Sequence, residues 1–126
     1  MQLRGYVAAL QHVVSAAPFV ASTSFSYEER APSAALIKGS LAFTDGSQLD
    51  FKEFLITQPE LRVVKYGYHY RSGTRLIFRY DNANDPAATN LPSFPHHKHD
   101  PSGLSASEQP SLGKVLQEIT SQLQSP

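Results

Sequence analysis

Three of the chain's five histidines fall within four positions, in Phe94-Pro95-His96-His97-Lys98-His99-Asp100. An unperturbed imidazole titrates near 6.5, so such a group can move protons, ligate a metal or, when charged, contact phosphate. In an extended segment His97 and His99 point the same way and could serve as general acid and general base. RNA cleavage asks for that pair. One group deprotonates the 2′-hydroxyl, the other protonates the leaving 5′-oxygen, and a cation such as Arg79 or Lys98 stabilises the phosphorane. The rival chemistry is a metal site, in which His96, His97 and His99 with Asp100 or Asp81 would hold zinc or another divalent ion. The third reading is a polar surface loop with incidental histidines. Absence of cysteine removes disulfides, Cys-based zinc sites and a thiol nucleophile.

A second group of candidates lies upstream. If residues around Arg71-Ser72-Gly73 form a three-residue hairpin loop, Tyr70 pairs with Thr74, Tyr68 with Leu76, Tyr66 with Phe78 and Val64 with Tyr80. One face then carries Lys65, His69, Arg75, Arg79 and Asp81, with Lys65 opposite Arg79 and His69 opposite Arg75. Neighbouring strands are about 5 Å apart, so these like charges need an anion or an acid. A phosphate-binding surface answers that need, as does a solvated sheet face guarded by basic side chains. Asp81 can pair with Arg79 or orient a loop histidine. Tyr66, Tyr68 and Tyr70 point to the apolar side. Tyr70, near the turn, is the one offered as a stacking surface for a base.

The elements that position these residues follow from periodicity. Leu3, Tyr6, Val7, Leu10, Val13 and Val14 recur at helical spacing, predicting a helix over 2–15 with His12 off its apolar stripe. Strands are expected at about 19–30, 34–43, 47–57, 61–71 and 74–81. Thr44-Asp45-Gly46 suits a hairpin loop with glycine in the left-handed position, which pairs Leu41 with Leu49 and Gly39 with Phe51. Residues 82–110 hold five of the nine prolines and read as a long loop. A final helix is expected over 111–124 on Leu112, Val115, Leu116, Ile119 and Leu123. The fold class is α+β: one domain over 1–126, an antiparallel β-meander of about five strands with N-terminal and C-terminal helices packed on one face. Formal net charge is zero, which argues against a generic polyanion coat. No signal peptide or membrane span is evident.

Together, Asp45-Gly46-Ser47, Lys65-Tyr66-Gly67-Tyr68-His69-Tyr70, Phe78-Arg79-Tyr80-Asp81-Asn82-Ala83 and Phe94-Pro95-His96-His97-Lys98-His99 resemble the TumE family of toxin–antitoxin toxins. Pro110-Ser111-Leu112, opening the final helix, extends the resemblance along nearly the whole chain. The resemblance implies a toxin of a type II pair, a helix-turn-helix antitoxin as partner and a cytoplasmic location. It implies no residue roles. The leading expectation is a metal-independent endoribonuclease without cofactor. His97, His99 and His69 are its proton carriers, Arg79 and Lys65 its phosphate ligands, and Asp81 its orienting acid. Arg75, Lys98 and Tyr70 are further RNA contacts. The alternatives are a protein-binding toxin that docks its antitoxin, and a metal-dependent hydrolase using the His96–His99 segment.

Overall fold

A computed structural model describes residues 2–125. Its sheet is a seven-stranded antiparallel meander in sequence order. The strands are β1 (Val20–Arg30), β2 (Ala34–Phe43), β3 (Gln48–Ile56), β4 (Arg62–Ser72), β5 (Arg75–Asp81), β6 (His97–Asp100) and β7 (Gly103–Ala106). Two helices, α1 (Leu3–Ala16) and α2 (Leu112–Gln124), flank it. Val7, Leu10 and Val14 of α1 share one hydrophobic cluster with Leu112, Val115, Leu116 and Ile119 of α2, and with Leu41, Leu49, Phe51, Tyr68, Tyr70 and Phe78 of the sheet. Ser111 caps α2 by accepting from the Lys114 N–H.

The β2–β3 hairpin forms as the turn chemistry dictates. Gly46 takes a φ of 89°, and Asp45 Oδ1 accepts from both the N–H and the hydroxyl of Ser47. Leu41 faces Leu49 and Gly39 faces Phe51. Gly39 makes room for the Phe51 ring: a Cβ at this position would sit 2.2 Å from Phe51 Cε1, so the ring would have to shift.

Two expectations need correction. The β4–β5 connection is a two-residue turn, Gly73-Thr74, with Ser72 paired to Arg75 rather than a three-residue loop. Gly73 has a φ of 60°, which suits the first central position of such a turn. A bulge then inserts Ile77, so Tyr70 pairs with Phe78, His69 with Arg79 and Gly67 with Asp81. Arg79 therefore lies opposite His69, not Lys65, and Arg75 stands at the turn, not opposite His69. The bulge restores the alternation, so His69, Arg79 and Asp81 keep the common face that was expected.

The second correction concerns 82–110. This stretch is not a long loop: it contains the β6–β7 hairpin, and the sheet has seven strands rather than about five. Asp85 caps a short 3-10 turn at Pro86–Ala88, and Asp100 closes the β6–β7 turn by accepting from Ser102. The histidine segment is thus a strand, held to β5 by Arg79–His99, Tyr80–Lys98 and Asp81–His97 pairs. No helix among the described residues is long and apolar enough to cross a membrane.

Candidate functional site

Register assembles the site on the sheet face opposite the core. Residues directly across from one another share a face. One row runs Asp50–His69–Arg79–His99 across β3, β4, β5 and β6. The next runs Lys38–Lys52–Gly67–Asp81–His97 across β2 to β6. The β6 strand therefore brings His97 and His99 against Asp81 and Arg79, and β4 brings His69 to the other side of Arg79.

Asp81 is the centre of this grid. Its carboxylate is 12% exposed and accepts from Arg79 Nε at 2.9 Å and from the Ala83 N–H at 3.1 Å. His97 is fully buried, with Nε2 2.8 Å from Asp81 Oδ1. His99 Nε2 lies 3.8 Å from Asp81 Oδ2. The two rings meet edge to face with centroids 4.7 Å apart. His97 Nδ1 donates to the Pro95 carbonyl at 2.7 Å, which fixes the ring and its tautomer. Neither Nε2 has a hydrogen-bond partner, although both are buried; the close approach of His97 Nε2 to Asp81 lacks the alignment of a hydrogen bond. Asp81, His97 and His99 are the described residues whose ligand atoms could meet at a metal, all within 4.8 Å of one another.

Burial disfavours the charged form of His99, and the Arg79 guanidinium adds to this, so its pKa falls below the ordinary imidazole value despite Asp81 nearby. His69 is lowered for the same reasons, burial first and Arg79 second, with Asp50 opposing. Arg79 engages Asp81 through Nε alone, and its side chain is 41% exposed.

Beside this centre the face is open and basic. A Cβ at Gly67 would meet nothing within 4 Å, so the sheet floor next to Asp81 is uncovered. Lys38 and Lys52 are exposed and directly opposed across β2 and β3, and Lys65 is exposed further along β4. None of the three lysines forms an ion pair among the described residues.

The remaining sequence candidates lie elsewhere. Lys98 points to the core face, where Nζ pairs with Glu118 at 2.9 Å and lies over the Phe78 and Tyr80 rings, so it is not a contact for RNA on the Asp81 face. Tyr70 is buried, with its hydroxyl 2.7 Å from Ser47 Oγ, and offers no stacking surface. His96 stacks on Tyr66 and bonds its hydroxyl at 2.8 Å, and Asp100 is occupied in the β6–β7 turn. The ligand set His96, His97, His99 and Asp100 is therefore not assembled; Asp81 takes the acidic place. Reading the sequence missed Lys38 and Lys52 as candidates. Their signal was present, since both fall on the polar side of the correctly paired β2–β3 hairpin.

A second buried acid also escaped notice. Glu53 on β3 is fully enclosed on the core face, where the hydroxyls of Tyr6 and Tyr68 donate to its two oxygens. Burial raises its pKa, although both hydrogen bonds pull the other way.

No curated protein and no solved structure matches the chain. Residues 10–124 match the family model described as Toxin TumE, nearly the full length and including both rows of the site. The chain thus belongs to the TumE toxin family, the toxin side of a toxin–antitoxin pair, and an antitoxin partner is implied.

Proposed function

We propose that this toxin acts by cleaving RNA, and that the Asp81 face is where it does so. The observation that carries the proposal is the row His69–Arg79–His99 beside Asp81 and His97, bordered by three unpaired lysines on an open sheet floor. Lys38 and Lys52 stand directly opposite each other, an arrangement that costs stability unless an anion lies between them. A nucleic-acid backbone supplies such anions along its length.

The roles follow from exposure. The Nε2 atoms of His97 and His99 are covered, which turns the choice of base away from that pair and toward His69. His69 favours its neutral form and adjoins Arg79, whose guanidinium would hold the scissile phosphate. His69 takes the 2′-hydroxyl proton as the 2′-oxygen bonds to phosphorus. The bond from phosphorus to the 5′-oxygen breaks, that oxygen takes up a proton from water, and His69 returns its proton to water. The products are a 2′,3′-cyclic phosphate and a 5′-hydroxyl. Arg79 and the Asp81–His97–His99 centre meet the charge that develops at the phosphate and at the leaving oxygen. The toxin would act in the cytoplasm, and a helix-turn-helix antitoxin would restrain it there.

A binding-only toxin is the second reading. What favours it is β1, an edge strand exposed along most of its length with Tyr27 turned outward, which suits strand addition by a partner. Expression of wild-type and His69→Ala chains without antitoxin, followed by analysis of RNA ends, separates the two. The proposal expects growth arrest with new cyclic-phosphate ends, both lost in the variant. Arrest with intact RNA, retained by His69→Ala, contradicts it.

A further inference from the structure

We infer that Asp81, His97 and His99 hold one divalent transition-metal ion, through a carboxylate oxygen and the two Nε2 atoms. The inference deepens the reading of the same centre and rests on it for the ion's task. His97 makes the case. Its Nδ1 must carry a proton, because its partner at 2.7 Å is the Pro95 carbonyl, which can only accept. In the neutral ring Nε2 is then a lone pair, and it lies 2.8 Å from a carboxylate oxygen in a side chain that is 1% exposed. Two acceptors at that distance repel each other unless a proton or a metal ion lies between them, and this contact lacks the alignment of a hydrogen bond through a proton. His99 turns a second buried, unpartnered Nε2 toward the same carboxylate. Burying even one such atom unpaired costs stability, and a shared ion satisfies both.

The dimensions agree. Bonds of about 2.0–2.1 Å around a tetrahedral ion set neighbouring ligand atoms about 3.3 Å apart. The separations from the Asp81 carboxylate, 2.8 Å from Oδ1 to His97 Nε2 and 3.8 Å from Oδ2 to His99 Nε2, bracket that value, and one ligand atom from each of the three residues lies within 4.8 Å of the others. Ligand support is present as well. The Pro95 carbonyl orients His97, and Arg79 Nε holds Asp81 Oδ2. Two imidazoles and one carboxylate select zinc, cobalt, manganese, iron or nickel over magnesium and calcium, which prefer all-oxygen cages. Three protein ligands leave a fourth position free, as in catalytic sites. The uncovered floor at Gly67 gives a phosphate oxygen or water room to reach it.

The test is titration of the full chain, purified through a cleavable tag without histidines, with Co²⁺. Visible absorption and calorimetry give the readout. The expected result is one equivalent bound per chain, with visible bands of a four- or five-coordinate ion. Affinity should fall about 10–100-fold or more in Asp81→Asn and His99→Ala. It should be unchanged in His96→Ala and Asp100→Asn, the neighbours that face elsewhere. Thermal unfolding of each variant establishes that it folds, and Asp81→Asn preserves shape if an alanine variant does not. No Co²⁺ binding, binding that survives both ligand changes, or binding lost in His96→Ala overturns the inference. RNA cleavage by a chain that binds no ion would overturn it and leave the cleavage reading standing. One bound ion without cleavage would do the reverse.

Discussion

Glu53 and Asp81 are two sunken carboxylates on one sheet, and they are built in opposite ways. Glu53, on the core face, has two phenol donors for its two oxygens, from Tyr6 and Tyr68. Both Glu53 oxygens are satisfied, and the two bonds tie α1 and β4 to β3. Asp81, on the other face, is met by Arg79 and by two imidazole nitrogens that lack partners. Burial is shared; satisfaction is not. A saturated acid fixes a fold, whereas a cluster with unfilled valences is equipped to take a ligand.

The contrast can be broken by mutation, and the largest effects belong on the Asp81 face. His69→Ala should slow RNA cleavage by about 10²–10⁴, the usual contribution of a general base. Its unfolding temperature should change little, because the His69 side chain forms no hydrogen bond among the described residues; single-turnover kinetics with labelled RNA provide the check. Arg79→Ala should cost about 10²–10³ in the same assay, as the loss of one preorganised positive group does. Glu53→Leu should leave chemistry alone and destabilise the fold by about 1–3 kcal/mol for each stranded phenol, measured by urea unfolding.

Glu53 also makes a prediction about pH. Its folded pKa is raised, so the folded state holds this proton more tightly than the unfolded chain. The stability it contributes is fully present below the unfolded value, 4.5, and declines as pH rises through the folded one. Glu53→Gln keeps an acceptor for one tyrosine and removes the titration. Stability of the variant relative to the parent should therefore rise with pH above about 4.5. A flat difference between the two chains would mean that Glu53 does not titrate on folding.

The contrast was only partly legible in the sequence, for physical reasons. Alternation and the Asp45-Gly46 turn are local signals, and they specify the β2–β3 pairing and the inward row of tyrosines. The same alternation puts Glu53 with Leu49, Phe51 and Leu55, so its burial could have been read. Its tyrosine partners lie 47 and 15 residues away, beyond any local pattern. Arg79 was paired with Lys65 rather than His69 because the turn was placed at Arg71-Ser72-Gly73 instead of Gly73-Thr74, and the Ile77 bulge, which leaves no compositional mark, moves the register one residue further. Strand β6 is four residues of His, Lys and Asp between prolines, a composition that reads as loop. It becomes a strand because β5 offers a free edge and its cross-strand partners suit Asp81 and Arg79. Within it, the shared direction of His97 and His99 was legible; their attachment to Asp81 was a tertiary fact.

The smallest expected effect concerns the lysine track. Lys38→Ala and Lys52→Ala should each weaken RNA binding uniformly across sequences and reduce the salt dependence, lowering the slope of log affinity against log salt by about 0.7. Filter binding at several salt concentrations measures this. An unchanged slope would remove the two lysines from the RNA path and narrow the interface to Arg79 and its neighbours.

The comparison itself is tested most directly by single-turnover cleavage of one RNA by two near-isosteric variants, Asp81→Asn and Glu53→Gln. The account predicts that Asp81→Asn, still folded, loses cleavage by about 10²-fold or more, while Glu53→Gln stays within a few-fold of the parent chain. Equal losses in both, or full cleavage by Asp81→Asn, would contradict it.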